Sequence, residues 1–458
     1  MQFKITENQN KTLIFLLVIW PFIFLSPYVF KYIDIGNDFE LLYFSYKKYI
    51  FEFIIQGHFP KWSPSESLGY PIIFNPFAQY FYFPSWLLFL FSYILGSFTK
   101  YTYLIYTIFG LSIYNVGQFV WLRSLNINIR YAFYSTIITC IGIKLTEIIR
   151  FPNAVHTIAW FPWVLYSITI LSLSTKKYLG VLILFFSTLL IFTAGYPYYI
   201  LYGFIFFSIY FFLILYLKYY SDYFSENILL INKYKFFSLV LVTVIMSFLI
   251  VSPWFLKIIE IMNITRERNL FSIEFSYILG SNYIDQISSW IFPPYVFAES
   301  NYYFGSIISI LLLTFLIRNI FSKKIKYYKF FFLFFIFFVF LTFQFSAPEN
   351  SLIFNFIWEK FDFIKNFRAF CRMHIILIPI IALILAMSFE YYENALKSNG
   401  NLKNEIFIIF FIVTISITTQ IYLIEFSNFN NHYWQNWQFT RLEYAQEKLS
   451  FLSIIFNS

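Results

Sequence analysis

The carboxylate of Asp38 is the first side chain along the chain whose type and place indicate chemistry. It lies in segment 35–40 (IGNDFE), directly after the first long apolar run. A carboxylate near lipid is costly to keep and tends to mark a functional position. Within hydrogen-bond reach of an attacking hydroxyl it serves as a general base. We therefore predict a catalytic carboxylate at Asp38, with helix capping as the alternative role and with Asp34 and Glu40 as weaker candidates.

Two arginines near the start of a late apolar run have the spacing of a phosphate-binding pair. Arg368 and Arg372 are four residues apart, so on a helix their side chains share a face. The planar guanidinium fork matches the oxygens of a phosphate. The sequence therefore predicts that this pair binds a phosphate headgroup. The alternative is that both side chains only extend from the end of a span toward water.

A second polar group, formed by Glu147, Arg150 and His156, lies at a turn between two apolar runs. His156 is predicted to orient a substrate, and Arg150 is predicted to help bind it. An ion pair between Glu147 and Arg150 at helical spacing is also consistent with a purely structural role. Trp62 and Tyr70 follow the first apolar run, and their rings either stack on a sugar or anchor the chain at the membrane interface.

The elements that carry these side chains are predicted to be membrane helices. Hydrophobic residues make up 60% of the chain and charged residues only 12%, which leaves too little polar surface for a soluble protein of 458 residues. The formal charge of +9 does not indicate a nucleic-acid partner, because the Lys and Arg residues lie in short loops between apolar runs. Cys140 and Cys371 lie in or beside such runs and are predicted to be core residues. The fold class is therefore predicted to be an all-α polytopic membrane protein.

The placement of charges predicts the topology. Apolar runs with roughly the 20 residues of a span occur at 12–30, 80–97, 101–121, 131–149, 156–173, 178–194, 197–217, 236–255, 304–320, 328–346, 371–389 and 405–425. The run at 80–97 is predicted to lie at the interface, because a proline-rich and aromatic-rich segment precedes it. About eleven transmembrane helices remain, or about twelve if 80–97 also crosses. With the N-terminus in the cytoplasm, the outward connections are 31–100, 150–156, 194–197, 256–303, 347–370 and the C-terminal tail.

The long first external loop, 31–100, is predicted to carry an amphipathic helix on the membrane surface. Asn37 or Asp38 is the capping residue at its start, and the helix is expected to reach Gln56, with Gly57 as its terminator. The polar positions of this helix are predicted to be Lys47, Lys48 and Glu52. Residues 1–425 are predicted to form a single transmembrane domain, and 426–458 are predicted to be an external or interfacial tail.

A series of short motifs runs in order through most of the chain. The motifs of the first loop are Gly36-Asn37-Asp38, Gly57-His58-Phe59-Pro60-Lys61-Trp62 and Gly69-Tyr70-Pro71. The later motifs are His156 before Trp160-Phe161-Pro162, Ala194-Gly195-Tyr196-Pro197, Tyr303-Phe304-Gly305 and Phe367-Arg368-Ala369-Phe370-Cys371-Arg372. Together they resemble YfhO-type bacterial membrane proteins, within the GT-C class of polytopic glycosyltransferases.

The resemblance implies a GT-C-like fold in the bacterial cytoplasmic membrane, with the active face external. It implies transfer of a sugar from a polyprenyl-phosphate carrier to an acceptor, which is an envelope polymer, a glycolipid or a protein. In that role Asp38 activates the acceptor hydroxyl or helps to hold a divalent metal ion. Arg368 and Arg372 then stabilise the departing lipid phosphate, which needs charge stabilisation more than a general acid.

Two other classes of function stay open. A transporter or flippase for lipid-linked sugars needs polar side chains along a path through its spans. Lys144 and Glu147 are among the few such residues in the apolar runs. A non-catalytic scaffold in envelope assembly is the third class.

Overall fold

The computed structural model of the protein describes residues 7–32, 35–36, 38–64, 69–220, 230–264, 283–292, 303, 306–321, 328–346, 351–367 and 369–396. Within these ranges the chain is all-helical, and its only β features are isolated bridges. The α-helices are α1 (Glu7–Phe24), α2 (Ser26–Val29), α3 (Ser45–Ile55), α4 (Phe83–Ile94), α5 (Lys100–Ser124), α6 (Ile129–Cys140), α7 (Ile143–Glu147), α8 (Pro152–Ile158), α9 (Phe161–Leu171), α10 (Lys177–Thr193), α11 (Pro197–Tyr219), α12 (Lys233–Ile264), α13 (Tyr283–Ile291), α14 (Ser306–Phe321), α15 (Tyr328–Ser346), α16 (Leu352–Lys360) and α17 (Leu377–Leu396).

In the described part of the chain, 6 helical stretches are long and apolar enough to cross a membrane. They are Lys100–Ser124, Pro152–Leu171, Pro197–Tyr219, Lys233–Ile261, Lys329–Ser346 and Phe370–Tyr392. Each corresponds to one predicted span. The predicted spans at 12–30, 178–194 and 304–320 correspond to shorter apolar helices, and the one at 405–425 lies outside the described residues. The chain is thus compatible with a multi-pass membrane protein.

The helices pack around one continuous apolar core that runs from α1 to α17. α9 packs against α5 and α10, α10 packs against α12, and α17 packs against α6. Both cysteines are buried, as predicted for core residues.

The run at 131–149, predicted as one span, does not form one continuous helix. The structure divides this run into α6, a turn at 141–142, α7 and a 3-10 helix, Ile148–Arg150. Gly142 in the turn has a poor helix propensity, and its N–H donates to the Thr139 carbonyl at 3.3 Å. The break matters for the site described below, because the short segments after it carry three charged side chains into the protein.

The segment 80–97 forms α4, which has only 12 residues. A helix of this length spans about 18 Å, less than the hydrocarbon core of about 30 Å. This agrees with the prediction that the segment does not cross. Its apolar side chains are largely exposed on one side, among them Phe83, Leu87, Phe91 and Ile94.

The helix predicted in the first loop begins as a π-helix, Phe39–Phe44, and continues as α3. Its predicted end is confirmed, because Gln56 is the C-cap and Gly57 adopts φ 79°. The side chain of Asp38 makes no capping hydrogen bond at the start of the π-helix, so the alternative role of Asp38 as a helix cap is not observed.

The prediction that Lys47 lies on the polar face of this helix is wrong. Its side chain is 0% exposed, whereas Lys48 and Glu52 are exposed and lie 3.7 Å apart. The Lys47 ammonium donates to the Ala78 carbonyl at 2.9 Å and to the Ser85 hydroxyl at 2.7 Å. These acceptors offset part of the cost of burying the amine. Lys47 therefore links α3 to the segment before α4 and to the first turn of α4. It lies four residues after Tyr43.

We expect K47M to remove a pH dependence of stability. Burial lowers the pKa of Lys47 well below its ordinary value of 10.5. The unfolded chain therefore binds this proton more tightly, and wild-type stability rises with pH between the lowered pKa and 10.5. From about pH 8 to about pH 10, the gain is up to about 1.4 kcal/mol per pH unit. The measurement is the midpoint of thermal unfolding of the full chain in detergent.

K48M is the matched control, because it removes the exposed neighbouring lysine. It should keep the wild-type rise of the unfolding midpoint with pH, whereas K47M should flatten it. A K47M protein with the wild-type slope would show that Lys47 is not the group responsible.

Candidate functional site

The buried hydroxyl of Tyr43 is affected by two charged groups, Asp38 and Arg372. Tyr43 lies in the π-helix that follows Asp38. The centres of the Tyr43 and Phe151 rings are 6.4 Å apart in an edge-to-face arrangement. Burial raises the pKa of Tyr43 well above its ordinary value. The Asp38 carboxylate raises that pKa further, whereas the Arg372 guanidinium lowers it. Two charged groups that are far apart in the sequence therefore lie within electrostatic range of one hydroxyl.

The guanidinium of Arg372 lies among three aromatic rings. Its Cζ is 5.3 Å from the ring centre of Phe151, 6.0 Å from that of Tyr196 and 5.3 Å from that of Tyr198. Arginine is attracted to such ring faces. Stacking uses the face of a guanidinium, whereas phosphate oxygens are bound by its edge. The rings therefore orient Arg372, which is only partly buried, in a way that is compatible with binding an anion.

Arg150 reaches the same aromatic ring as Arg372. Its Cζ lies 4.5 Å from the ring centre of Phe151, so one phenyl ring has two guanidinium groups around it. Arg150 also lies 3.4 Å from a carboxylate oxygen of Glu147, whose other oxygen is 3.8 Å from the Lys144 ammonium. The predicted ion pair at this turn is thus present, and it extends to a third residue.

The prediction that Arg368 and Arg372 share one helix face is not supported. Arg368 itself lies outside the described residues. The helix that contains Arg372 is a 3-10 helix that begins at Phe370, and Ala369 before it is left-handed with φ 54°. The α-helical spacing of four residues therefore does not apply at Arg372. Among the described residues, Arg150 is the arginine that shares a ring with it.

The segments that meet here belong to connections that the charge pattern predicts to lie on one side of the membrane. Asp38 and Tyr43 come from connection 31–100, Arg150 and Phe151 from 150–156, and Tyr196 from 194–197. Arg372 directly follows connection 347–370. Their convergence is consistent with the predicted topology.

His156 lies in a separate buried network. Its side chain is fully buried, Nδ1 lies 3.2 Å from the Tyr82 hydroxyl, and Nε2 lies 3.2 Å from the Tyr106 carbonyl oxygen. Because the Trp160 indole donates to the Tyr82 hydroxyl at 2.9 Å, we assign the ring proton to Nε2, with Tyr82 donating to Nδ1. The network holds the turn before α4 against α5 and α8. The catalytic role of His156 stays a prediction that this geometry does not support.

Trp62 and Tyr70 lie beside α3, at an isolated β-bridge between Ser63 and Tyr70. The backbones of Ser63 and Tyr70 exchange two hydrogen bonds of 2.8 Å, and the Trp62 carbonyl accepts from Tyr49 at 2.9 Å. Trp62 is 55% exposed, while the ring of Tyr70 meets Tyr46 at 6.1 Å. Tyr46 is one helical turn beyond Tyr43 of the site. Stacking of either side chain on a sugar stays a prediction.

The turn before α11 positions Tyr196. Gly195 adopts φ 82°, and its carbonyl accepts from the Asn153 amide at 3.4 Å. The same amide also donates to the Phe77 carbonyl at 3.0 Å. A Cβ at Gly195 would collide with the carbonyl oxygen of Pro76. Only glycine therefore fits where the first loop meets this turn.

We expect G195A to destabilise the protein and to displace Tyr196. A left-handed alanine costs about 1–2 kcal/mol, and the collision with Pro76 adds about 1–3 kcal/mol of overpacking. G57A is the matched control, because Gly57 has φ 79° but no atom within 4 Å of the added Cβ. Thermal unfolding in detergent should show a clearly larger loss for G195A. Equal losses in the two variants would contradict the close contact.

The aromatic residues of the site were not predicted. Aromatic residues make up 26% of the chain, so no single ring stands out by composition. Tyr196 lies in a motif that the sequence did single out, directly after Gly195, and Phe151 directly follows Arg150. Tyr43 and Tyr198 carried no signal beyond their place near predicted outward turns.

The possible metal ion at Asp38 also stays a prediction. Within the described ranges, no group of three or more His, Cys, Asp or Glu side chains is arranged to hold an ion. Asp34, the nearest carboxylate in the sequence on the N-terminal side, lies outside those ranges. The described donors alone therefore do not form a complete metal site.

Comparison of the chain with models of known protein families and with curated proteins finds no match.

Proposed function

We propose that the protein is a GT-C-type membrane glycosyltransferase that uses a polyprenyl-phosphate sugar as its donor. One observation carries the proposal. Arg150 and Arg372 lie around the ring of Phe151, and the ring of Tyr43, which is within electrostatic range of both Asp38 and Arg372, packs against the same Phe151. This supports a site in which a carboxylate activates a hydroxyl while two guanidinium groups stabilise a phosphate leaving group.

The proposed reaction is a single displacement. Asp38 removes the proton of an acceptor hydroxyl, and the oxygen attacks the anomeric carbon of the sugar. The bond between that carbon and the phosphate oxygen breaks, and the lipid phosphate leaves with the electron pair. Arg150 and Arg372 stabilise its added negative charge. The proton stays on Asp38 until it passes to solvent, and the configuration at the anomeric carbon is inverted.

An apolar cavity between α9, α10, α11 and α12 supports a lipid-linked donor. It has a volume of about 230 Å³, and its lining includes Ile191 near the end of α10 and Ile200, one helical turn beyond Tyr196. We propose that this cavity takes part of the isoprenoid chain, with the phosphate toward the turn that carries Tyr196.

The topology proposed for this function has about eleven crossings, with the N-terminus in the cytoplasm. The shorter apolar helices at 12–30, 178–194 and 304–320, the broken helical run at 131–149 and the run at 405–425 supply the crossings beyond the six long helices. The active face is then on the outer side of the bacterial cytoplasmic membrane. The acceptor is an envelope polymer, a glycolipid or a protein.

The experiment that tests the function is an analysis of membrane lipids from cells with and without the protein. Cells that lack it should accumulate a polyprenyl-phosphate sugar, which mass spectrometry of lipid extracts detects. Purified wild-type protein in liposomes should then consume this lipid in the presence of an acceptor extract. Extracts without any accumulated lipid-linked sugar would contradict the proposal.

A flippase for lipid-linked sugars is the second candidate. The buried ion pair between Lys144 and Glu147 favours it, because such pairs mark polar paths in transporters. Proteoliposomes that move a fluorescent lipid-linked sugar across the bilayer, without forming any new glycosidic bond, would support this candidate over transfer.

A further inference from the structure

Lys144, Glu147 and Arg150 form a row of ion pairs on the segments after the break at 141–142. One oxygen of the Glu147 carboxylate is 3.8 Å from the Lys144 ammonium, and the other is 3.4 Å from an Arg150 nitrogen. The side chains of Lys144 and Glu147 are 4% and 3% exposed. Charges buried to this degree are tolerated only when they are paired.

The geometry of the row sets the position of Arg150. One oxygen of the Glu147 carboxylate lies 3.4 Å from a guanidinium nitrogen of Arg150, and this pair does not depend on the oxygen that faces Lys144. The guanidinium of Arg150 is thereby held over Phe151 at 4.5 Å. Arg372 lies around the same ring at 5.3 Å.

We propose that Glu147 is a positioning residue that keeps Arg150 at the aromatic ring it shares with Arg372, so that both guanidinium groups bind one phosphate headgroup. The proposal rests on the proposed function, because it supplies the second half of the phosphate site. It gives Glu147 no contact with the substrate. Its effect is on the affinity for a phosphate and not on the chemistry at Asp38.

The proposal is tested by the binding of farnesyl phosphate to the full chain in lipid nanodiscs. Farnesol, which has the same chain without the phosphate, measures the apolar part of binding. K144Q keeps the pair between Glu147 and Arg150, and it should bind farnesyl phosphate within about twofold of wild type. K144Q/E147Q removes both partners of the row together, so no buried carboxylate or ammonium is left unpaired there. It should bind farnesyl phosphate at least about tenfold more weakly, with farnesol binding unchanged.

A second variant keeps the test decisive if K144Q/E147Q does not fold. E147D keeps the charge but shortens the side chain, so it draws the Arg150 guanidinium away from Phe151. We expect it to weaken binding of farnesyl phosphate by about threefold to tenfold. K144Q and K144Q/E147Q differ only at residue 147. The higher affinity of K144Q for farnesyl phosphate therefore measures the effect of Glu147.

The possible outcomes separate this inference from the proposed function. In one outcome, wild type binds farnesyl phosphate more tightly than farnesol, but K144Q/E147Q or E147D binds farnesyl phosphate as tightly as K144Q does. The role of Glu147 is then overturned, and the proposed function stands. If wild type binds both lipids equally, both proposals fail. If inorganic phosphate alone binds as tightly as farnesyl phosphate, the site takes free phosphate, and the assignment to a lipid headgroup is overturned.

Discussion

D38N is expected to abolish sugar transfer while the donor still binds. The amide has the size of the carboxylate but cannot accept the proton of the acceptor hydroxyl. Loss of a general base lowers kcat by about 10²–10⁴-fold. Asp38 is only partly buried and does not cap the helix that follows it, so the substitution should leave the fold intact. The measurement is transfer of a labelled sugar by purified protein in liposomes, with kcat and KM determined separately.

E40Q is the matched control for D38N. Glu40 lies two residues away, is exposed and pairs with Lys100 at 2.7 Å. Because an exposed pair of this kind contributes about 0–1 kcal/mol, E40Q should transfer sugar at nearly the wild-type rate. A D38N protein that transfers sugar as fast as E40Q would show that Asp38 is not the base.

R372Q is expected to have the second largest effect. Removing the guanidinium takes away a cation that stabilises the departing phosphate, which lowers kcat/KM by about 10²–10³-fold. R372K tests the geometry, because lysine keeps the charge but cannot stack its plane on Phe151 and Tyr198 or bind two oxygens at once. We expect R372K to fall between R372Q and wild type.

K365Q is the control for R372Q, since Lys365 is a basic residue close to Arg372 in the sequence whose ammonium pairs with the Asp362 carboxylate at 2.6 Å. It should keep wild-type transfer and wild-type binding of farnesyl phosphate. Normal transfer by R372Q would remove Arg372 from the reaction, and equal activity of R372K and wild type would show that the stacked geometry is not needed.

The positions of the main helices could be predicted from sequence because they depend on local properties. A long apolar run predicts a helix wherever it occurs, and the six longest helical stretches in the described ranges all fall on predicted runs. Gly57 ends the first-loop helix because its left-handed backbone favours glycine. Both signals are contained within a few neighbouring residues.

The burial of Lys47 could not be predicted in the same way. Its acceptors are Ala78, at the end of a 3-10 helix, and Ser85, in the first turn of α4, both more than thirty residues away. The helical pattern alone placed the lysine on the polar face. The break in the run at 131–149 is another long-range effect. The run is apolar enough for a span, but its second half turns Lys144 and Glu147 into the protein, where they pair.

Asp38 and Arg372 were identified from residue type and motif, but the partner of Arg372 was not. Spacing favoured Arg368, because it is four residues away in the sequence. In the structure Arg150 lies around the same ring, and only the packing of segments that are remote in sequence brings it there. The aromatic rings that hold both arginines were hidden by the high aromatic content of the whole chain.

The most direct test of the site is an experimental structure of the full chain in a nanodisc with an unreactive polyprenyl-phosphate sugar analogue bound. We predict that the phosphate binds between the guanidinium groups of Arg150 and Arg372, and that the anomeric carbon faces Asp38. A phosphate bound elsewhere, or Asp38 on the opposite side of the bilayer from Arg372, would contradict the shared site on which the proposed function rests.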